Sequence, residues 1–230
     1  MSVKINYLKK KISTISSNLV LFSNDKFNIS NLKKILSNGE FNYINDLLKS
    51  SDLKKNLLVF EVNSKKKVVL ISIKNNLKIS DIENLGAEFY GRVNYGKNNE
   101  YFLKSDSVDN KYKNFVSHFL HGLKLKSYEF KKYKTKKDSR IITINVIGSK
   151  NAPSTFNQLK FKAIEEGIFY ARDLVSEPGN ILHPDEYAKR LASLRKDGLK
   201  INVYDQRKLK KLGMNALLGV GMGSIRGSYL

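Results

Sequence analysis

The strongest constraint on the fold of this chain is a set of four short apolar runs set apart by stretches of helical spacing. Leu19 to Phe22, Leu57 to Val62, Val68 to Ile73 and Ile141 to Ile147 have the length and the apolar, largely β-branched character of buried strands. Only the polar Asn63 to Lys67 separates the middle pair, so these two runs are expected to be adjacent, central strands. Leu32, Ile35 and Leu36 suit a helix that breaks near Asn38-Gly39, and Phe41, Ile44, Leu47 and Leu48 suit a second. Ile82, Leu85, Phe89 and Val93 fall on one helical face, where Gly86 allows another element to approach closely. A further helix is expected to carry Val108, Tyr112, Phe115, Val116, Phe119, Leu120 and Leu123 as its core stripe. Strands alternating with helices in this order argue for an α/β fold, with a mixed or parallel sheet carrying helices on its faces.

A second constraint lies further along. Phe156, Leu159, Ala163, Gly167, Ala171 and Leu174 line one stripe of a long helix, with Ile164, Ile168 and Val175 beside it. Pro178 must end that helix, because proline has no amide donor and drives Glu177 out of the α region. Gly179-Asn180 tolerates positive φ, and Pro184 suits the first turn of a new helix that buries Tyr187, Leu191 and Leu194 and stops at Gly198. Ile201 to Tyr204 reads as a short strand and Gln206 to Leu212 as a helical segment. The polar stretch Ser149 to Ser154, which contains Pro153, is the expected boundary between a first domain, residues 1–150, and a second part, residues 151–230.

Composition narrows the chemistry. The chain has no cysteine, which removes disulfides, thiolate metal sites and a cysteine nucleophile. Its N-terminal residues alternate apolar and basic side chains without the apolar core of a signal peptide, and no run approaches the ~18 apolar residues of a membrane span. The expectation is a cytoplasmic chain that does not contact a membrane. The 42 Lys and Arg outnumber the 21 Asp and Glu for a net charge of +21, a balance that can mark a phosphate-bearing partner. Lys greatly outnumbers Arg, however, and Lys, Asn, Ile and Ser are abundant together, as an A- and T-rich coding bias alone would produce.

Few residues are placed for catalysis or binding. Between Lys124 and Arg140 lies the most basic window, in which Lys124, Lys126, Lys131, Lys132, Lys134, Lys136 and Lys137 are interleaved with Tyr128, Phe130 and Tyr133. Lysines that follow a phosphate backbone and aromatics that stack on bases would suit a nucleic acid. The preferred alternative is an extended segment whose aromatics turn inward while the lysines face water. His118 and His121 stand three apart on a helix, a spacing compatible with one metal, but no third ligand accompanies them and helix-surface positions are preferred. Glu165-Glu166 point about 100° apart and read as a solvated face. Gly219-Val-Gly-Met-Gly-Ser224 lacks the Gly-Lys-Ser/Thr ending of a phosphate loop, and reads as a tight turn against neighbouring backbone.

Three ordered motifs carry a family resemblance. Ala171-Arg-Asp-Leu-Val-Ser-Glu-Pro-Gly-Asn180, followed by Pro184 and by Leu212-Gly-Met-Asn-Ala-Leu-Leu-Gly-Val-Gly-Met-Gly-Ser224, closely resembles the leucyl (cytosol) aminopeptidases. Upstream, Gly122 with Tyr128, Phe130, Tyr133 and Lys134 is similar to that family's N-terminal-domain pattern. The resemblance is collinear from about Gly122 to Ser224, and residues 1–120 agree in element order. It implies a macro-like N-terminal domain joined by a helix to an α/β peptidase domain. It also implies a hexamer that removes N-terminal amino acids from peptides with two divalent metal ions, Mn or Zn, which bridge and activate a water.

The departures are as informative. The family's metal ligands lie in a Gly-Lys-Gly...Phe-Asp-Thr-Gly-Gly segment and an Asn-Thr-Asp-Ala-Glu-Gly-Arg segment, and neither occurs in this sequence. No catalytic, cofactor-binding or metal-binding residue is therefore carried over. His183 stands where the family commonly has a helix-capping Thr, and Gly227-Ser228 replaces a proline-rich end. The expectation is an N-terminal portion of a leucyl aminopeptidase, complete through its macro-like domain and inactive alone. The alternative is a noncatalytic nucleic-acid-binding or assembly module using the basic window.

Overall fold

The computed structural model describes residues 3–8, 17–93, 99–109, 112–135 and 140–230, which separate into two compact units, Met1–Glu166 and Gly167–Leu230. The first unit is built on a six-stranded mixed sheet. Its strands are β1 (Val3–Leu8), β2 (Asn18–Asn24), β3 (Leu57–Asn63), β4 (Lys66–Ile73), β5 (Glu100–Lys104) and β6 (Ile142–Ile147), in the spatial order β1-β6-β5-β2-β4-β3. All neighbours are parallel except β3, which lies antiparallel to β4 at the edge. The expected adjacency of those two strands is observed. The expectation that both are central is corrected, since β3 alternates buried Leu58 and Phe60 with exposed Val59 and Glu61, the pattern of an edge with one wet face.

Helices cover both faces of the sheet. On one side, Leu19, Leu21, Val68 and Leu70 pack with Leu32 of a short 3₁₀ turn (Ser30–Lys34), with Leu36 just after it, and with Ile44 and Leu48 of α1 (Asn38–Ser50). Asn38-Gly39 opens this helix instead of breaking one. Ser37 accepts from the Glu40 amide while the Glu40 carboxylate accepts from the Ser37 amide, a reciprocal cap that satisfies two otherwise orphan donors. Glu40 also takes a 2.7 Å bond from Lys66, tying the helix start to β4. Burial pushes the Glu40 carboxyl up, but the bonds from Lys66 and Ser37 outweigh it and hold it below the usual carboxylate range.

On the other face, α2 (Ile79–Val93) and α3 (Phe115–Lys126) close over Val20, Phe22, Val69, Ile71, Ile144 and Val146. Phe22 stands edge-on to Phe115 and Phe119 at 5.3 Å between ring centres, the offset that lets ring edges meet electron-rich faces. The two helices cross through glycines. A Cβ on Gly86 would lie 1.9 Å from the Phe119 carbonyl oxygen, and one on Gly122 would lie 1.9 Å from the Glu83 carbonyl oxygen. The helix expected to begin near Val108 starts only at Phe115, after Asn114 adopts φ 59°, because residues 100–104 are spent on β5.

In the second unit, α4 (Thr155–Ser176), whose first part belongs to the sheet unit, ends at the predicted Pro178 break. α5 (Pro184–Ser193), α6 (Gln206–Lys211) and α7 (Asn215–Gly221) follow. Tyr204 and Leu230 exchange two backbone hydrogen bonds, 2.8 and 3.0 Å, so the Ile201 to Tyr204 stretch pairs with the last residue through one bridge and forms no longer strand. Gly198 takes φ +86°, as its helix-terminating role requires. Tyr187 is exposed where burial was expected, and Ala188 is the buried residue of α5.

Substituting Gly86→Ala forces backbone to move and is expected to cost about 1–3 kcal/mol. Gly91→Ala, in the same helix with open space around it, is expected to gain up to about 0.5–1 kcal/mol. Urea midpoints of the two variants check the contrast, and equal midpoints would contradict the crossing described.

Candidate functional site

The basic window is largely engaged with its own surroundings. Lys131 and Lys134 both pair with Glu129, at 2.8 and 3.0 Å, and their hydrogen bonds hold the Glu129 carboxyl below its ordinary range. Lys132 sits over the Tyr133 ring, 5.5 Å from its centre. Lys124 at the end of α3 is half-buried and donates to the Val3 carbonyl of β1. Burial lowers its ammonium below the ordinary lysine value, against the opposing pull of Glu165. Lys126 is exposed, and Lys136 and Lys137 lie outside the described residues.

The two helix histidines have partners that the spacing alone did not reveal. His118 is half-buried, with its Nδ1 3.0 Å from Glu83 of α2. His121 is buried, with its Nδ1 3.0 Å from Glu165 of α4, and Phe161 packs against both rings at centre separations of 5.0 and 4.9 Å. Glu165 is thus no solvated residue. It turns inward while Glu166 remains outside, and its charge joins burial in pushing the Tyr7 hydroxyl up to about 12, burial being the larger cause. The expected α4 stripe is corrected in part: Leu174 is buried as expected, but Phe156 and Leu159 are 74% and 64% exposed, whereas Glu165 and Phe169, outside the stripe, are buried. A polar residue supplying a buried bond displaced the apolar stripe that periodicity favours.

The turn after α4 is held by ionic contacts rather than by apolar burial. Arg190 of α5 donates at 2.8 Å to Glu177 and at 3.0 Å to Glu186, and the Glu177 side chain is only 2% exposed. Tyr170 donates to the Arg190 carbonyl at 2.9 Å, so the residues flanking Pro178 and Gly179 are bound to the next helix on two sides. The Arg190–Glu186 spacing of i, i+4 is visible in the sequence, but nothing local points to Glu177. His183, directly before Pro184, bonds to Asp185 and lies 3.2 Å from an Arg226 nitrogen. An apolar cavity of about 470 Å³, lined by Tyr187, Leu191, Val203 and Leu230 among others, opens beside it.

Residues 169–230, which begin in this part of α4 and hold the turn, match the model of the catalytic domain of the cytosol aminopeptidase family. A probable cytosol aminopeptidase of a Bradyrhizobium species is 43% identical over 113 residues, 46% of this chain and 22% of that protein. One from Nitrobacter winogradskyi is 35% identical over 162 residues, 66% of this chain and 31% of that protein. The matched parts of the chain are those of the cytosol aminopeptidase family. It spans 22% to 31% of the length of these two relatives. Among solved structures, a mutant tomato leucine aminopeptidase superposes with a TM-score of 0.75 at 18% identity, covering 99% of this chain and 49% of that one. The bottromycin maturation enzyme BotP, in a complex with Mn, gives a TM-score of 0.67 at 17% identity, with 94% and 44% covered. At such identities the likeness is one of fold.

For a cytosol aminopeptidase the donor set is the decisive question. Among the described residues no three His, Asp or Glu side chains are grouped so as to hold a metal ion. The family signature at the turn consists of an ion-paired Glu177, backbone-breaking residues and a proline-initiated helix. It shapes the chain and offers no pair of bridging carboxylates, so the residues present do not fit a two-metal centre.

Arg190→Met should remove the 2.8 Å ionic contact that holds the buried Glu177 carboxylate. Amide exchange of residues 176–182 is expected to accelerate and the melting temperature to fall, whereas Lys189→Met, on the exposed side of the same helix, should change neither.

Proposed function

We propose that this chain supplies the N-terminal portion of a cytoplasmic cytosol aminopeptidase and does not hydrolyse peptides by itself. The observation that carries the reading is the coincidence of a match to the catalytic-domain family model over residues 169–230 with the lack of a metal-holding donor group among the described residues. In the whole enzyme, divalent metal ions such as Mn or Zn would supply Lewis-acid activation of water, from ligands outside this sequence. The sheet unit would serve as a preformed body in a homo-oligomer, of hexameric type as the family resemblance implies, and peptides with free N-termini would be the substrates.

The surface of the second unit supports this. Val220, Met222 and Ile225 are 87%, 84% and 103% exposed, an apolar surface of the kind a larger catalytic domain covers. No helix among the described residues is long and apolar enough to cross a membrane, so these side chains do not form a spanning segment of that kind.

Purified protein of this sequence, assayed with a chromogenic leucyl substrate in the presence of Mn or Zn, is expected to release no leucine above the blank. Metal-dependent release that copurifies with the chain and survives removal of host peptidases would overturn the proposal.

A further inference from the structure

The sheet unit contains a polar crevice that the proposed function does not use. Its volume is about 490 Å³, and it lies beyond the carboxyl ends of the parallel strands β2, β4, β5 and β6. The chain leaves β2 toward β3 and β4 on one side, then returns past β2 to place β5 on the other. This reversal is where open α/β sheets hold ligands, because the loops that follow the strands diverge and leave a gap between them.

The loops around the gap are fixed before any ligand arrives. After β2, the Asn24 carboxamide oxygen accepts from the amides of Lys26 and Asn28, and Asn28 accepts from Ser30. Between the loops after β5 and β6, Asp106 accepts from the amides of Ser149 and Lys150 at 2.9 and 2.7 Å through a single oxygen, Oδ1. Gly148 makes this approach possible: it holds φ +126°, and a Cβ there would lie 2.4 Å from the Ser105 hydroxyl. A crevice walled by such bonds loses little freedom when it is filled.

The lining combines three chemistries. Asp106 and Asp109 bring negative charge, Lys150 brings positive charge, and Asn24, Asn28 and Asn31 bring neutral amides. Apolar side chains complete the lining: Leu32 and Ile35 from the segment after β2, Ile73 at the end of β4 and Val108 from the loop after β5. Charges of both signs among apolar side chains disfavour a simple anion or a simple cation. They complement a small zwitterion with an apolar side chain, whose ammonium faces carboxylates and whose carboxylate faces an ammonium and amide donors.

We propose that this crevice binds the α-ammonium and α-carboxylate of a small apolar amino acid or short peptide, with its side chain against Leu32 and Ile35. The proposal rests on the lining, but it meets the family reading at one point: such molecules are the products and substrates of an aminopeptidase. The site would sense them on the sheet unit and carries no chemistry of its own.

The test is a titration of the ¹⁵N-labelled 230-residue protein with leucine, leucinamide, N-acetylleucine and leucyl-leucine, followed by amide chemical shifts. Saturable shifts are expected for leucine in residues 24–35 and 105–109. N-acetylleucine, which lacks the ammonium, and leucinamide, which lacks the carboxylate, should each bind at least about tenfold more weakly, since a site built for a polar group rejects the analogue without it. Tighter binding of leucyl-leucine than of leucine would assign the site to peptides, and the reverse to free amino acids. Lys150→Ala should weaken leucine but not leucinamide, and the unchanged remainder of its spectrum reports an intact fold. Absence of saturable shifts, equal binding of all four compounds, or shifts confined to residues 167–230 would overturn the proposal. None of those results bears on the absence of leucyl hydrolysis, so this site and the proposed function fail independently.

Discussion

The close crossing of α2 over α3 is the contact on which the larger core of the sheet unit depends. Gly86 and Gly122 each place a backbone carbonyl where a side chain would otherwise stand, which brings the helices near enough for Phe89, Phe115 and Phe119 to reach the sheet together. Phe89 then meets Tyr101 of β5, and Phe119 meets Phe22 of β2, so a single aromatic cluster joins helices to strands that are far apart in sequence. Because protein interiors are packed like crystals, a helix pair displaced by one methyl group cannot fill the same space. The opposite face is independent of this contact: it is closed by α1, whose reciprocal cap and Lys66 bond fix where the helix begins.

The sequence was legible where one physical signal dominated. The continuous apolar runs became β2, β4 and β6, and the glycine at position 86 proved to be a point of close approach. Two strands were missed for different reasons. In β1, half-buried residues at a sheet edge alternate weakly, and in β5 the five residues from Glu100 to Lys104 precede apolar residues that also fit helical spacing. Elsewhere polar partners overrode periodicity. The α4 stripe was placed on the wrong face because Glu165, bonded to a buried histidine, occupies an inward position that only an apolar residue would have announced. Asn38-Gly39 reads as a helix break in sequence because the cap that makes it a start depends on Ser37 and Glu40 acting together.

The site was legible in a different sense. The residues around Pro178 identify the family, and the structure explains their form through the Arg190–Glu177 bond and a proline-initiated helix. Yet their roles are conformational. The histidines and carboxylates that a reader would first suspect, His118, His121, Glu165 and His183, are each occupied by protein partners. Function in this chain therefore depends on separating what a motif signifies about ancestry from what its side chains can do.

The central claim is that the chain bears the fold and signature of a cytosol aminopeptidase while its described residues hold no grouped donor set for a metal centre. Calorimetric titration of Mn into the purified, metal-stripped chain tests this most directly. The account predicts no stoichiometric binding. Saturable binding of two Mn ions per chain, lost when His183 or Glu177 is replaced, would contradict it.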